Sequence, residues 1–172
     1  VRTGVKVVKV TPGKGGVTVE LEAEGKRESL AAAQVLMAVG RAARTKGLGL
    51  EALGVAMDRG LVTVGPTMET TVKGVFAVGD MAGRQMLAHK AMAEGVVAAE
   101  AIAGRSPRPV NYGNVPSCTY CRPQVASIGL SEAAAKADGR EISVGRFPFT
   151  ANGKAVALGE TEGFLKVVAD KR

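Results

Sequence analysis

The sequence predicts an α/β fold that passes into α+β along the chain, and three patterns carry that expectation. Two short apolar runs, Val35-Leu36-Met37-Ala38-Val39 and Val75-Phe76-Ala77-Val78, each stop at a glycine, as buried strands do when they deliver a tight turn to a sheet edge. An Ala/Val/Met-rich stretch from Met86 to Gly104 reads as one buried helix. Beyond Pro109 the pattern changes to alternating strands around a short capped helix.

Taken in order, Val5, Val7, Val8 and Val10, then Pro12-Gly13-Lys14-Gly15-Gly16, then Val17, Val19 and Leu21 predict a β-hairpin, with a strand meander as its natural completion. Polar residues Glu24 to Ser29 lead to the run 35–39, predicted as a central buried strand ending at Gly40-Arg41. Residues 45 to about 60 are Gly- and Leu-rich, a connector with a short helix expected around Leu50 to Leu53. Leu61-Val62-Thr63-Val64 returns as a small strand before Pro66, and the run from Val75 ends at Gly79-Asp80. The following helix stops at Gly104, and Pro107 and Pro109 mark a linker with a domain boundary near 109. Val125 to Leu130 then reads as a strand, Ser131 as the cap of a helix over Glu132 to Ala137, and Ile142 to Phe147 and Phe164 to Val168 as alternating strands.

With 172 residues and 46% hydrophobic side chains, the chain can bury a substantial core. No apolar stretch approaches the roughly 20 residues of a membrane helix, and Val1-Arg2-Thr3-Gly4 lacks a signal-peptide layout. A net charge of +7 invites nucleic acid as a partner, but the bases are dispersed, and 3% aromatics without Trp supply few stacking platforms, so nucleic acid is set aside. Cys118 and Cys121 form Cys-x-x-Cys; without a second pair, and with one histidine in the chain, they do not make a four-ligand metal site. Pro116, Pro123 and neighbours Tyr120, Val125 and Ile128 suggest extended chain and not the helix start that activates a thioredoxin-like thiol, so structural or incidental thiols are the expectation.

Asp80 is the leading site residue. A carboxylate at the carboxyl end of a strand, just before a helix start, suits a ligand carrying both hydroxyls and electron-rich oxygens: the carboxylate accepts from hydroxyls and free helix N–H groups donate to oxygens. The plainer reading is that Asp80 caps a turn or helix. Gly40 allows close backbone approach to a ligand, or is simply a tight turn. Glu160 and Glu162 fit a solvated edge better than paired acid/base carboxylates.

The string Thr71-Val72-Lys73-Gly74-Val75-Phe76-Ala77-Val78-Gly79-Asp80, followed by Met86-Leu87-Ala88-His89-Lys90-Ala91, resembles the second flavin-contacting motif of the dihydrolipoyl dehydrogenases, members of the flavoprotein disulfide reductases. Val39-Gly40-Arg41 is similar to the end of that family's nicotinamide-nucleotide domain, and Val115-Pro116-Ser117, Phe147-Pro148-Phe149, Ala151-Asn152-Gly153 and Ala157 through Phe164 to its interface domain. Ala42-Ala43-Arg44 departs from the family's usual continuation after Gly-Arg, which weakens side-chain assignments there.

The resemblance implies residues 1–44 as the end of a Rossmann-like NAD-binding domain, 45–109 as a central FAD-contacting domain, and 110–172 as the start of an α+β dimerisation domain. It assigns Asp80 to the ribityl hydroxyls of FAD, Met86, Leu87, Ala88 and His89 to the helix start facing the flavin, and Gly40 and Val7 to NAD, though Val7 equally suits a buried apolar contact. His89 is the lone histidine; the resemblance places the acid/base histidine, like the redox disulfide and both phosphate-binding glycine loops, outside these 172 residues. No catalytic residue is therefore assigned here, and the chain by itself is expected to be inactive. The implied parent reoxidises dihydrolipoyl groups with NAD, as a cytoplasmic homodimer serving the lipoyl-bearing acyltransferase of 2-oxo-acid dehydrogenase complexes. A sister reductase for glutathione or mercuric ion, or a non-catalytic dimerisation or docking module, is the alternative.

Overall fold

The computed structural model describes residues 1–171 and divides into two compact units, residues 1–42 and the chain from Ala43 onward. In the first, β1 (Lys6–Gly13), β2 (Gly16–Ala23) and β3 (Lys26–Ala32) form an antiparallel meander in the order β1-β2-β3. Alternating valines favour these strands, since branched side chains fit a pleated surface. Val10 faces Val19 and Gly13 faces Gly16 across the predicted glycine turn, while the register slips between Val7 and Lys9 in a β-bulge. Only Leu21, on the central strand, is buried in this unit.

The predicted central strand 35–39 does not form. Residues 34–38 have no regular structure, and Leu36, Met37 and Val39 are 90%, 81% and 89% exposed. A buried strand needs hydrogen-bonded neighbours and a layer over each face. None of the described residues pairs with this run.

The second unit opens with a single helix-like turn at 50–54, closed by Leu53 N–H on Gly49 C=O at 3.2 Å and Val55 N–H on Leu50 C=O at 3.0 Å; the short helix expected there is reduced to this turn. The hairpin of β4 (Met57–Asp58) and β5 (Leu61–Val62) follows. Residues 75–78 are extended, with Ala77 buried and Val75, Phe76 and Val78 half-buried, short of the fully buried strand predicted, and they carry one isolated bridge, Glu69 to Phe76, in place of a ladder. Their period of two explains their place. Val75 and Ala77 pack with Val55 and Val62, whereas Phe76 and Val78 pack with Met68, Val97 and Ala98. This run therefore stands between two apolar clusters, tied to the loop before it by Ala77 N–H on Met68 C=O at 3.0 Å.

Helix α1 (Ala88–Ile102) begins two residues later than predicted and ends where Gly104, at φ 73°, takes the left-handed conformation that terminates helices. Beyond it, β6 (Ser117–Thr119) pairs with β7 (Val125–Ser127), and β8 (Ile142–Pro148) with β9 (Phe164–Asp170), both antiparallel. The helix α2 (Glu132–Ala137) is capped by Ser131, whose Oγ accepts from Ala134 N–H at 3.1 Å, as its sequence predicts. Helix α3 (Gly153–Leu158), capped by Asn152, was not anticipated. Among the described residues no helix is long and apolar enough to cross a membrane.

Candidate functional site

The extended run ends in a 3-10 turn, Gly79–Ala82, that lies against α1. Gly79 adopts φ 78°, and a Cβ there would meet the Ala91 Cβ at 3.4 Å; Gly83 adopts φ 74°, and a Cβ would meet Leu61 Cδ1 at 2.8 Å. Both ends of the turn thus favour glycine for backbone handedness, and at Gly83 a side chain would also have to displace the end of Leu61.

What holds the turn is polar and fully buried. Lys90 and Glu94, one helical turn apart on α1, are both 0% exposed. Lys90 Nζ donates to Gly79 C=O at 2.9 Å, Gly83 C=O at 3.1 Å and Glu94 Oε2 at 3.0 Å, which uses all three ammonium protons. Glu94 Oε2 also accepts from Gly79 N–H at 2.8 Å, and Oε1 accepts from the Tyr112 hydroxyl at 2.8 Å. Every strong polar atom in the cluster has a partner, the condition under which buried charges are tolerated. Burial first, and then the hydrogen bond to Glu94, push the Tyr112 hydroxyl pKa up to about 12. Arg84, itself at φ 60°, lays its guanidinium 4.1 Å from the centre of the Tyr112 ring.

On this clamped turn Asp80 is exposed, and its carboxylate makes no hydrogen bond or ion pair among the described residues, so it caps neither the turn nor the helix. Nearby, α1 starts without a cap: Leu87 is extended, at φ −131° and ψ 137°, and no side chain accepts from the first turn. A free acceptor and uncapped donors therefore lie at the two ends of one short connection. Met86 and Leu87 are half-buried beside it, and Ala88 and His89 are exposed at the helix start. His89 Nε2 hydrogen-bonds the Pro116 carbonyl at 2.9 Å, a contact that occupies one ring nitrogen.

The structure thus gathers Asp80, Met86, Leu87, Ala88 and His89. Gly40 and Val7 lie in the first unit. Gly40 adopts φ 124°, a conformation that favours glycine, and Val7 is 55% exposed on edge strand β1, against the expectation of a buried contact. Upstream, Thr71 Oγ1 accepts from Ala56 N–H at 2.9 Å, fifteen residues back, and Thr70 Oγ1 from Val72 N–H at 3.1 Å in a local turn; both hydroxyls are engaged within the fold. Cys118 lies on β6 and Cys121 in the bend after it; both are exposed free thiols, and neither is at a helix start. Sequence reasoning missed Lys90, Glu94 and Tyr112. Their signal was a Lys and a Glu at i, i+4 on the face that also carries Val97 and Ala98.

Comparison with known proteins shows the family of the chain. A family model described as pyridine nucleotide-disulphide oxidoreductase matches residues 1–95, and one described as the dimerisation domain of the same family matches residues 115–172. The chain belongs to the pyridine nucleotide-disulphide oxidoreductases. It is 52% identical over 172 residues to a dihydrolipoyl dehydrogenase of Rhizobium etli, and 47% identical over 173 residues to one of Thermus scotoductus, covering 99% of the chain in each case. It spans 36% and 37% of the length of those two relatives. Among solved structures, LpdA of Mycobacterium tuberculosis superposes with a TM-score of 0.80 at 27% identity, over 97% of this chain and 36% of that one. RclA of Escherichia coli, an HOCl-induced flavoprotein disulfide reductase, does so with a TM-score of 0.78 at 26% identity, over 96% and 38%.

Proposed function

We propose that these residues form part of an FAD-dependent, NAD-linked dihydrolipoyl dehydrogenase that reoxidises protein-bound dihydrolipoamide. The observation that carries this reading is the unpartnered Asp80 carboxylate, on a turn locked beside the uncapped start of α1. That donor and acceptor set fits a flavin dinucleotide: Asp80 would accept from the ribityl hydroxyls, and the N–H groups at Ala88, His89 and Lys90 would face the electron-rich pyrimidine end of the ring. Met86 and Leu87, half-buried, would supply apolar contact. When bound, the flavin supplies two-electron chemistry between a dithiol and NAD, and a helix start favours the negative charge that gathers on its ring.

In this reading residues 1–44 close the NAD-binding domain, with Gly40 and Val7 on the dinucleotide, 45–109 contact FAD, and 110–172 open the dimer interface. The parent is a cytoplasmic homodimer whose electron donor is a lipoyl-bearing acyltransferase. Identity to named dihydrolipoyl dehydrogenases along the whole chain favours this branch over other disulfide reductases. The test is flavin absorbance of the intact protein together with dihydrolipoamide-dependent reduction of NAD. A yellow, active protein that loses flavin on Asp80→Ala supports the reading; a colourless one, or one specific for another disulfide, contradicts it.

A further inference from the structure

We propose that Lys90, Glu94 and Tyr112 are positioning residues for the cofactor, a buried clamp that sets where Asp80 stands relative to the start of α1. This deepens the function proposed above and rests on Asp80 being a flavin ligand.

The geometry is directional. The turn offers the helix two carbonyls, of Gly79 and Gly83, and one N–H, of Gly79. A cation at position 90 and an anion at position 94 answer that polarity, and the reverse order does not. The two pinned residues bracket Asp80, so the backbone that carries its carboxylate is held on both sides. Tyr112 continues the restraint. Its hydroxyl fixes Glu94 at 2.8 Å, its carbonyl accepts from Gln85 Nε2 at 3.4 Å, and its ring lies under Arg84. Gly79 and Gly83, on either side of Asp80, and Arg84 and Gln85, which lead toward the helix start, are thereby tied to Lys90, Glu94 and Tyr112. Lys90 and Glu94 are fully buried and Tyr112 is half-buried, whereas Asp80, Ala88 and His89 are exposed.

A group that only stabilises the fold would weaken flavin binding independently of Asp80, whereas one that acts through Asp80 would have nothing left to position once that carboxylate is gone. The experiment is a double-mutant cycle in the intact protein, with the FAD dissociation constant read by fluorescence for wild type, Asp80→Ala, Tyr112→Phe and the pair. Each single change is expected to weaken binding about tenfold, the loss of one charge-assisted hydrogen bond. The pair is expected to match Asp80→Ala within about twofold. An unchanged constant in Tyr112→Phe, or losses that multiply to about a hundredfold in the pair, overturns the proposal. An unchanged constant in Asp80→Ala overturns the flavin reading and the proposal with it.

A readout without flavin separates the two failures. Tyr112→Phe keeps the ring beneath Arg84, so tryptic cleavage after Arg84 in the apoprotein should quicken only if the hydroxyl restrains the connection; cleavage after Arg146 serves as the reference. Unchanged cleavage after Arg84 overturns the clamp even where Asp80 proves to be a flavin ligand. The exchanged pair Lys90→Glu with Glu94→Lys retains opposite charges but presents the wrong polarity to the turn. It should bind FAD no better than Lys90→Met, and wild-type affinity would overturn the proposal. Tyr112→Phe carries the test where the exchanged pair does not fold.

Discussion

Two segments of this chain share one sequence pattern and reach opposite states. Val35 to Gly40 and Val75 to Gly79 are both apolar runs closed by glycine. The second is extended, packed between two apolar clusters and latched at its glycine by Lys90 and Glu94, while the first is unpaired, with Leu36 90% exposed. The difference teaches that an apolar run has no position of its own. Its neighbours supply one, and the run at 75 finds them in β5, the loop around Met68 and α1.

The comparison breaks most visibly at the latch. Lys90→Met removes three hydrogen bonds and leaves Glu94 buried without a counter-charge, so it should destabilise the protein by about 3–5 kcal/mol in denaturant unfolding. A loss below about 1 kcal/mol, the scale of an exposed pair, would show that the latch adds little. Next in size is the contrast between the two glycines. Gly79→Ala forces a side chain into the left-handed region with Ala91 already at contact distance, for an expected loss of about 1–2 kcal/mol or more. Gly40→Ala meets no atom within 4 Å and sits in an unpaired segment free to relax, so its loss should be well below that of Gly79→Ala in the same titration.

A smaller effect follows from Tyr112. Its hydroxyl has a pKa of about 12 in the fold against an ordinary value of 10.0, so between these values the unfolded chain has released a proton that the native chain retains. Stability from this group is therefore complete below pH 10 and is lost as pH rises toward 12. Tyr112→Phe should flatten that alkaline decline in thermal melts recorded through the same window, and an unchanged slope would remove Tyr112 as its source. Smallest of all, Val39→Ser should change the stability of this 172-residue chain by less than about 0.5 kcal/mol, because Val39 is 89% exposed.

These contrasts also mark how far the sequence could be read. The hairpin of β1 and β2, the Gly104 stop and the Ser131 cap are local devices, set by residues within a few positions of each other, and all were legible; β8 and β9 were legible as alternating strands, but their pairing with each other was not. So was the juxtaposition of Asp80 with a helix start, since strand, acidic turn and helix follow directly in the chain. The fate of Val35 to Val39 was not legible, because pairing depends on neighbours that periodicity cannot count. The latch was hidden for another reason. On an exposed helix Lys90 and Glu94 would be an ordinary surface pair, and only the approach of Gly79, Gly83 and Tyr112 makes them a buried one. Sequence spacing showed that the two side chains meet. It did not show what covers them.

The most direct test of this account is amide hydrogen exchange at the two glycines. Gly79 N–H donates to a fully buried carboxylate at 2.8 Å, whereas Gly40 is exposed in an unpaired segment. The account predicts that Gly79 is protected to the level of the centre of α1 while Gly40 exchanges near the unprotected rate. Exchange at Gly79 as fast as at Gly40 would contradict it, showing that the two runs differ in sequence position and not in how firmly the chain holds them.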